Sequence, residues 1–214
     1  MTKLKSPIRS GEEGSALLIV LLASSLLAGL GLALAGLGSV ESLIASNHRA
    51  AGQLGLAADA GVEAVIAEIS AVANWSDIVG GLVTSRLAGH AVPLVAPGSP
   101  SLTLAQLTAS MQTDYSRLGS WGADTPQWRL FGHGWLSELV PVATGDSDEF
   151  LAMFVADDVG EHDGAPFVDA NGRIQIAARA SNARGGHRTM LVTVEKIGAP
   201  MSPGVRVLSW REMQ

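Results

Sequence analysis

Residues Ala16 to Val40 read ALLIVLLASSLLAGLGLALAGLGSV, a run of 25 residues without a charge. A helix of about 20 residues crosses a bilayer core of about 30 Å, so the run is long enough to span one. A secretory signal has an apolar core of only about 7–15 residues, with a cleavage site behind it. This run is longer and continues into more helix-like sequence. Lys3, Lys5 and Arg9 stand before it, and the first charge after it is Glu41. The positive-inside rule then keeps the N-terminus cytoplasmic and puts everything after Val40 outside the membrane. The chain reads either as a plain uncleaved signal anchor or as one whose leader is trimmed in front of the apolar segment.

The helical pattern does not stop at Val40. Leu43, Ile44, Ala51, Leu54, Ala58, Val62, Val65, Ile66, Ile69 and Val72 recur at helical spacing, with Asp59, Glu63 and Glu68 between them. One stripe of such a helix packs on a domain while the other face stays wet. No proline occurs between Arg9 and Pro93. A helix from Ala16 to about Ala73 would be on the order of 85 Å long at 1.5 Å per residue. Gly29 and Gly36 lie seven apart on nearly one face, a weak association motif without the strict G-x-x-x-G spacing.

After Asn74-Trp75 the texture changes. Gly80-Gly81, Pro93, Pro97-Gly98 and Pro100 mark a loop-rich connector. Within it, the capping-box pattern Thr103-x-x-Gln106 opens a short helix expected over Leu102–Leu118. From Trp128 onward the signals are strand-like, near Trp128–Phe131, Leu136–Val142, Phe150–Ala156, Arg173–Ala180, Arg188–Lys196 and Arg206–Trp210. Ile174, Ile176 and Ala178 alternate with Gln175, Ala177 and Arg179, the pattern of a half-buried strand. SNARGG at Ser181–Gly186 reads as a hairpin loop. The fold class expected is α+β: a long N-terminal helix, with a transmembrane half and an amphipathic half, packed on a C-terminal antiparallel sheet. The divisions are a leader (1–14), a membrane helix (15–40), its amphipathic continuation (41–75), a connector with a short helix (76–127) and a β-sheet domain (128–214).

The 214 residues carry a net charge of −6 and no cysteine. Disulfides and thiolate metal sites are therefore excluded. The acidic balance and scattered Lys/Arg argue against a nucleic-acid surface, which needs a clustered basic footprint. The mean hydropathy of +0.29 owes much to the anchor.

In combination, several blocks resemble the type IV pilin superfamily and, within it, PilX-type minor pilins. Gly14-Ser15-Ala16-Leu17-Leu18-Ile19-Val20 resembles a prepilin-peptidase junction. Ala57-Ala58-Asp59-Ala60-Gly61-Val62-Glu63-Ala64 resembles the block that ends the family's N-terminal helix, with Asp59 in place of the usual Glu. Val155–Asp158, Asp169–Ile174, Gly185–Thr189 and Val207–Glu212 resemble recurrent blocks nearer the C-terminus. The resemblance implies a pilin-like fold and cleavage after Gly14, leaving Ser15 as the mature N-terminus. It also implies partners: other pilins and minor pilins, the prepilin peptidase and an inner-membrane assembly platform. The location implied is the bacterial inner membrane, single-pass with a periplasmic C-terminal domain, then the pilus or cell surface. Ile19 stands where major pilins carry a glutamate that neutralises a neighbour's N-terminal amine. A charge in lipid is expensive unless paired. The departure points to a priming or tip-proximal subunit. An uncleaved, membrane-anchored binding or adhesion module is the alternative.

Asp157, Asp158, Glu161, Asp163, Asp169 and Asn171 form the main candidate ligand cluster. Carboxylates and turn carbonyls suit Ca²⁺, which takes about 6–8 oxygen ligands; the same residue types also serve simply as turn formers between strands. Asp169-x-Asn171-Gly172 resembles the start of an EF-hand loop but lacks its remaining acidic positions. The five histidines, His48, His90, His133, His162 and His187, have no H-x-x-x-H or H-E-x-x-H spacing. No G-x-S-x-G occurs, and the five tryptophans read as packing residues rather than a sugar platform. No enzymatic activity is expected.

Overall fold

The computed structural model describes residues 12–86, 103–119, 121–139, 149–199 and 202–213. The leader residues 1–11 therefore lie outside the described residues. The order of elements is α1 (Glu12–Ile69), α2 (Ser76–Val79), α3 (Leu104–Ser116), β1 (Arg129–Trp135), α4 (Leu136–Leu139), β2 (Phe150–Asp157), β3 (Arg173–Ser181), β4 (His187–Ala199) and β5 (Ser202–Met213). The chain is α+β, and it divides into two compact units, Met1–Arg49 and Ala50–Gln214.

In the first unit, α1 carries large apolar side chains from Leu17 to Ile44, all more than half exposed. By length and composition this helix can cross a membrane.

In the second unit, five antiparallel strands form a meander in the order β1-β2-β3-β4-β5. The last turns of α1 cover one face of this sheet. Leu54, Ala58, Val62, Val65 and Ile69 are buried at spacings of three and four residues. They meet Leu151, Met153 and Val155 of β2 and Ile174, Ile176, Ala178 and Ala180 of β3. Full burial of each large aliphatic side chain stabilises the fold by about 1.5–3 kcal/mol. The small residues of the 57–64 block set how closely helix and sheet approach. A Cβ on Gly61 would lie 3.1 Å from the Ala178 Cβ. α1 ends at Ile69, and the buried Trp75 indole donates to the Ile69 carbonyl at 3.2 Å.

The opposite face is also covered, which corrects the half-buried expectation for β3. Leu107, Met111 and Tyr115 of α3, together with Trp128, pack on Phe150, Ala152, Phe154, Ala177 and Leu191. α3 opens at Thr103 with a capping box, its hydroxyl accepting from Gln106 N while the Gln106 side chain accepts from Thr103 N. The polar residues of β3 suggested a wet face because their partners lie far away in sequence. Arg179 is only 6% exposed. Its guanidinium donates to Thr189 Oγ1 (3.0 Å), Ser110 Oγ (3.0 Å) and Asp114 Oδ2 (2.7 Å). A buried charge persists only when paired and hydrogen-bonded.

Arg179→Ala is therefore expected to cost about 2 kcal/mol, because Asp114 stays partly hydrated. Arg179→Met, which keeps the packing, should cost under about 1 kcal/mol. Urea unfolding of both variants checks this; equal losses would place the stabilisation in the guanidinium contacts and not in the alkyl stem.

The strand expected over Leu136–Val142 is corrected as well. Residues 136–139 form the single turn α4, and 140–142 lie outside the described residues. Glu138 Oε2 accepts from Trp135 N at 3.2 Å, on the side of β1 away from β2, and Leu136 N makes the last bond across to Glu149 O at 2.9 Å. β1 also carries a bulge at Leu130/Gly132. Its free side is closed where Ser85 N donates to the Phe131 carbonyl at 2.9 Å.

Candidate functional site

Two regions hold the residues singled out in the sequence. The first is the exposed part of α1. Gly14 and Ser15 fall in its opening turn. Ile19 is 66% exposed. A Cβ added at Gly29 or Gly36 would meet nothing within 4 Å. The surface is apolar and notched by glycine, which suits close packing against other helices or lipid.

The second region is the segment from the end of β2 to the start of β3. β2 runs buried to its end, so Asp157 and Asp158 leave the sheet still covered, 3% and 8% exposed. Glu161 folds back beside them, and ligand oxygens of Asp157, Asp158 and Glu161 lie within 4.8 Å of one another. Backbone amides occupy much of this acceptor capacity. Glu161 accepts from Ala170 N and Asn171 N. Asp158 accepts from Gly160 N and from Asn171 Nδ2. Asp169 accepts from Gly172 N at 2.7 Å and Arg173 N at 3.1 Å. Gly172 has φ +74°, a conformation that favours glycine, so the Asp169–Gly172 turn has a local cause. Asp163 stands apart on an exposed turn and accepts from Ala165 N at 2.9 Å.

Burial, with Glu161 next in weight, pushes the Asp157 carboxyl up to about 7. Burial likewise raises Glu161 and Asp169, against the opposing pull of the amides that bond them. Three carboxylates this close reduce their repulsion by holding a proton or by sharing a hard cation. The structure thus gathers Asp157 and Asp158 with Glu161, ties Asp169 and Asn171 around them by hydrogen bonds, and leaves Asp163 outside.

Two partnerships escaped the sequence reading. Trp210 Nε1 donates to Asp59 Oδ1 at 3.0 Å across 151 positions, and Arg179 joins β3 to α3. Neither leaves a local signal in the sequence. A depression of about 330 Å³ lies beside the end of α1, lined by Ala67, Glu68, Val72, Val83, Arg86 and Phe131. Its Glu68 carboxylate already accepts from Arg86 N. Comparison with family models, with curated proteins and with solved structures finds no match to this chain.

Proposed function

We propose that this chain is a minor-pilin-like or pseudopilin-like structural subunit of a type IV pilus or related secretion pseudopilus, acting by association rather than catalysis. The observation that carries this reading is α1. Its first part exposes an unbroken apolar surface, and its last turns form the inner layer of a small α+β unit. A helix that is apolar all round and uncovered needs lipid or other apolar helices against it. The junction at Gly14-Ser15 supplies the processing step, and Ile19 supplies the bias toward priming or a tip-proximal place. The partners in this reading are other pilins, the prepilin peptidase and the inner-membrane assembly platform, with the folded unit in the periplasm and then at the cell surface.

The test is intact mass and N-terminal sequencing after co-expression with a prepilin peptidase. The expected mature chain begins at Ser15, and Gly14→Arg is expected to abolish the cut. Retention of residues 1–14 by the parent chain, or normal trimming of the variant, would overturn the pilin reading. Retention would also leave an uncleaved, anchored binding module as the account of the chain.

A further inference from the structure

The chain as a whole is acidic, but its charge is unevenly placed. Seven of the 14 Lys/Arg residues and only two of the 20 Asp/Glu residues fall between Arg173 and Met213. These residues form β3, β4 and β5, and β5 is an edge of the sheet. β5 is 12 residues long, and no described segment pairs with its outer side. The opposite edge, β1, is closed at Phe131.

The register of β5 shows what its bare edge presents. Thr193 pairs with Ser209 and Val194 with Val207, so Leu208 is the extra residue of a bulge. The bulge changes the parity of the strand. Arg206 pairs with Glu195, Ser209 with Thr193 and Arg211 with Leu191. Paired residues share a face. All three therefore lie on the face that carries α3, whereas an unbroken strand would have turned Arg206 to the other side. Val207 and Trp210 lie on the α1 face, opposite Val194 and Val192, and remain 43% and 37% exposed.

Arg206 and Arg173 share the single carboxylate of Glu195. Arg211 is exposed and forms no ion pair among the described residues. Excess positive charge thus runs along one side of the edge, and half-exposed apolar surface runs along the other.

We propose that β5 is a docking edge for an extended acidic segment of a partner protein, which adds to the sheet as a sixth strand. Strand addition draws affinity from the main chain and specificity from alternate side chains. The β4 register fixes the pattern required. Opposite Arg206 and Arg211 stand Glu195 and Leu191, four residues apart. A regular partner strand must then carry carboxylates at i and i+4, with apolar residues at i+1 and i+3 against Val207 and Trp210. A second copy of β5 does not fit, because antiparallel self-pairing sets arginine near arginine and like charges on facing strands repel.

The test uses the full chain in detergent micelles and the fluorescent peptide Thr-Glu-Val-Thr-Val-Glu-Thr, read by anisotropy. The control peptide has the same composition with its glutamates three residues apart, so that they fall on opposite faces. The matched peptide is expected to bind about tenfold more tightly than the control. Arg211→Ser is expected to weaken it by about threefold to fivefold, as for one exposed ion pair. Arg206→Ser should act similarly, with circular dichroism confirming that the sheet is retained. Absence of binding, equal binding of the two peptides, or indifference to Arg211→Ser would overturn the proposal. So would tighter binding of a single-stranded oligonucleotide than of the matched peptide, which would make the stripe a phosphate surface.

Discussion

Trp75→Ala is expected to lower the unfolding free energy by about 4 kcal/mol, the largest loss foreseen for a single side chain here. Trp75 is 1% exposed and packs in the cluster that joins the end of α1 to the sheet. It also does chemical work at the helix end. Its indole N–H donates to the Ile69 carbonyl, one of the last-turn acceptors without an i+4 partner, which the Val72 amide also reaches at 3.0 Å. Lys196 Nζ lies 6.0 Å from its ring centroid and donates to the Ala73 carbonyl, tying the same turn to β4. The variant therefore loses the buried ring and its hydrogen bond and leaves a cavity, while the Ile69 carbonyl keeps the Val72 amide as a donor. A domain of this size has about 5–15 kcal/mol in all, so a loss of 4 leaves it marginal. Urea denaturation in micelles, followed by near-UV circular dichroism, measures it. A loss below about 1.5 kcal/mol would mean that the α1–sheet junction is not held by this residue.

The buried carboxylates make stability depend on pH in a direction opposite to that of ordinary paired acids. The folded-state value of Asp157 is about 7, against about 3.9 for an unfolded aspartate. The native state thus binds this proton more tightly than the unfolded state does. Its contribution is fully present below about pH 4 and is lost as pH rises through about 7. A rise of that extent corresponds to roughly 4 kcal/mol. Asp157→Asn keeps the acceptor for Asp158 N and removes the charge. At pH 8 this variant is expected to be more stable than the parent by about 2 kcal/mol, half the full figure, because Glu161 shares in the relief. At pH 4 the two should agree within about 1 kcal/mol. Glu161 and Asp169 shift in the same direction, so the comparison rests on the difference between the two proteins at each pH. A difference that stays constant from pH 4 to 8, or one that grows in favour of the parent, contradicts the assignment.

The sequence carried different kinds of information to different depths. Apolar run length and period are local properties, and they were enough to identify the membrane-competent part of α1 and its packing stripe from Leu54 to Ile69. All five strands and the Thr103–Gln106 cap were legible for the same reason: each is written in neighbours two to four positions apart. Leu136–Val142 failed as a strand because residues 136–139 turn into α4, where Glu138 caps the Trp135 amide on the outer side of β1. The alternation in β3 was read correctly as a pattern and wrongly as exposure. A period of two says that the faces differ, and it does not say that the polar face is wet.

The acidic cluster was visible in composition, but its geometry was not. Only the fold-back at Glu161 decides which carboxylates converge, and burial, with Glu161 beside it, makes Asp157 hold a proton near neutral pH. The basic edge was still less legible. In the sequence its arginines are scattered, and the parity change that puts Arg206 beside Arg211 comes from one extra residue at Leu208, visible only in the pairing of β4 with β5. The sequence by itself determined the α+β class, the long helix and the boundaries of most elements, because those follow from local period and capping. Tertiary structure alone decided which polar groups are buried, which charges meet and which strand edge is left bare, because these depend on residues up to 151 positions apart.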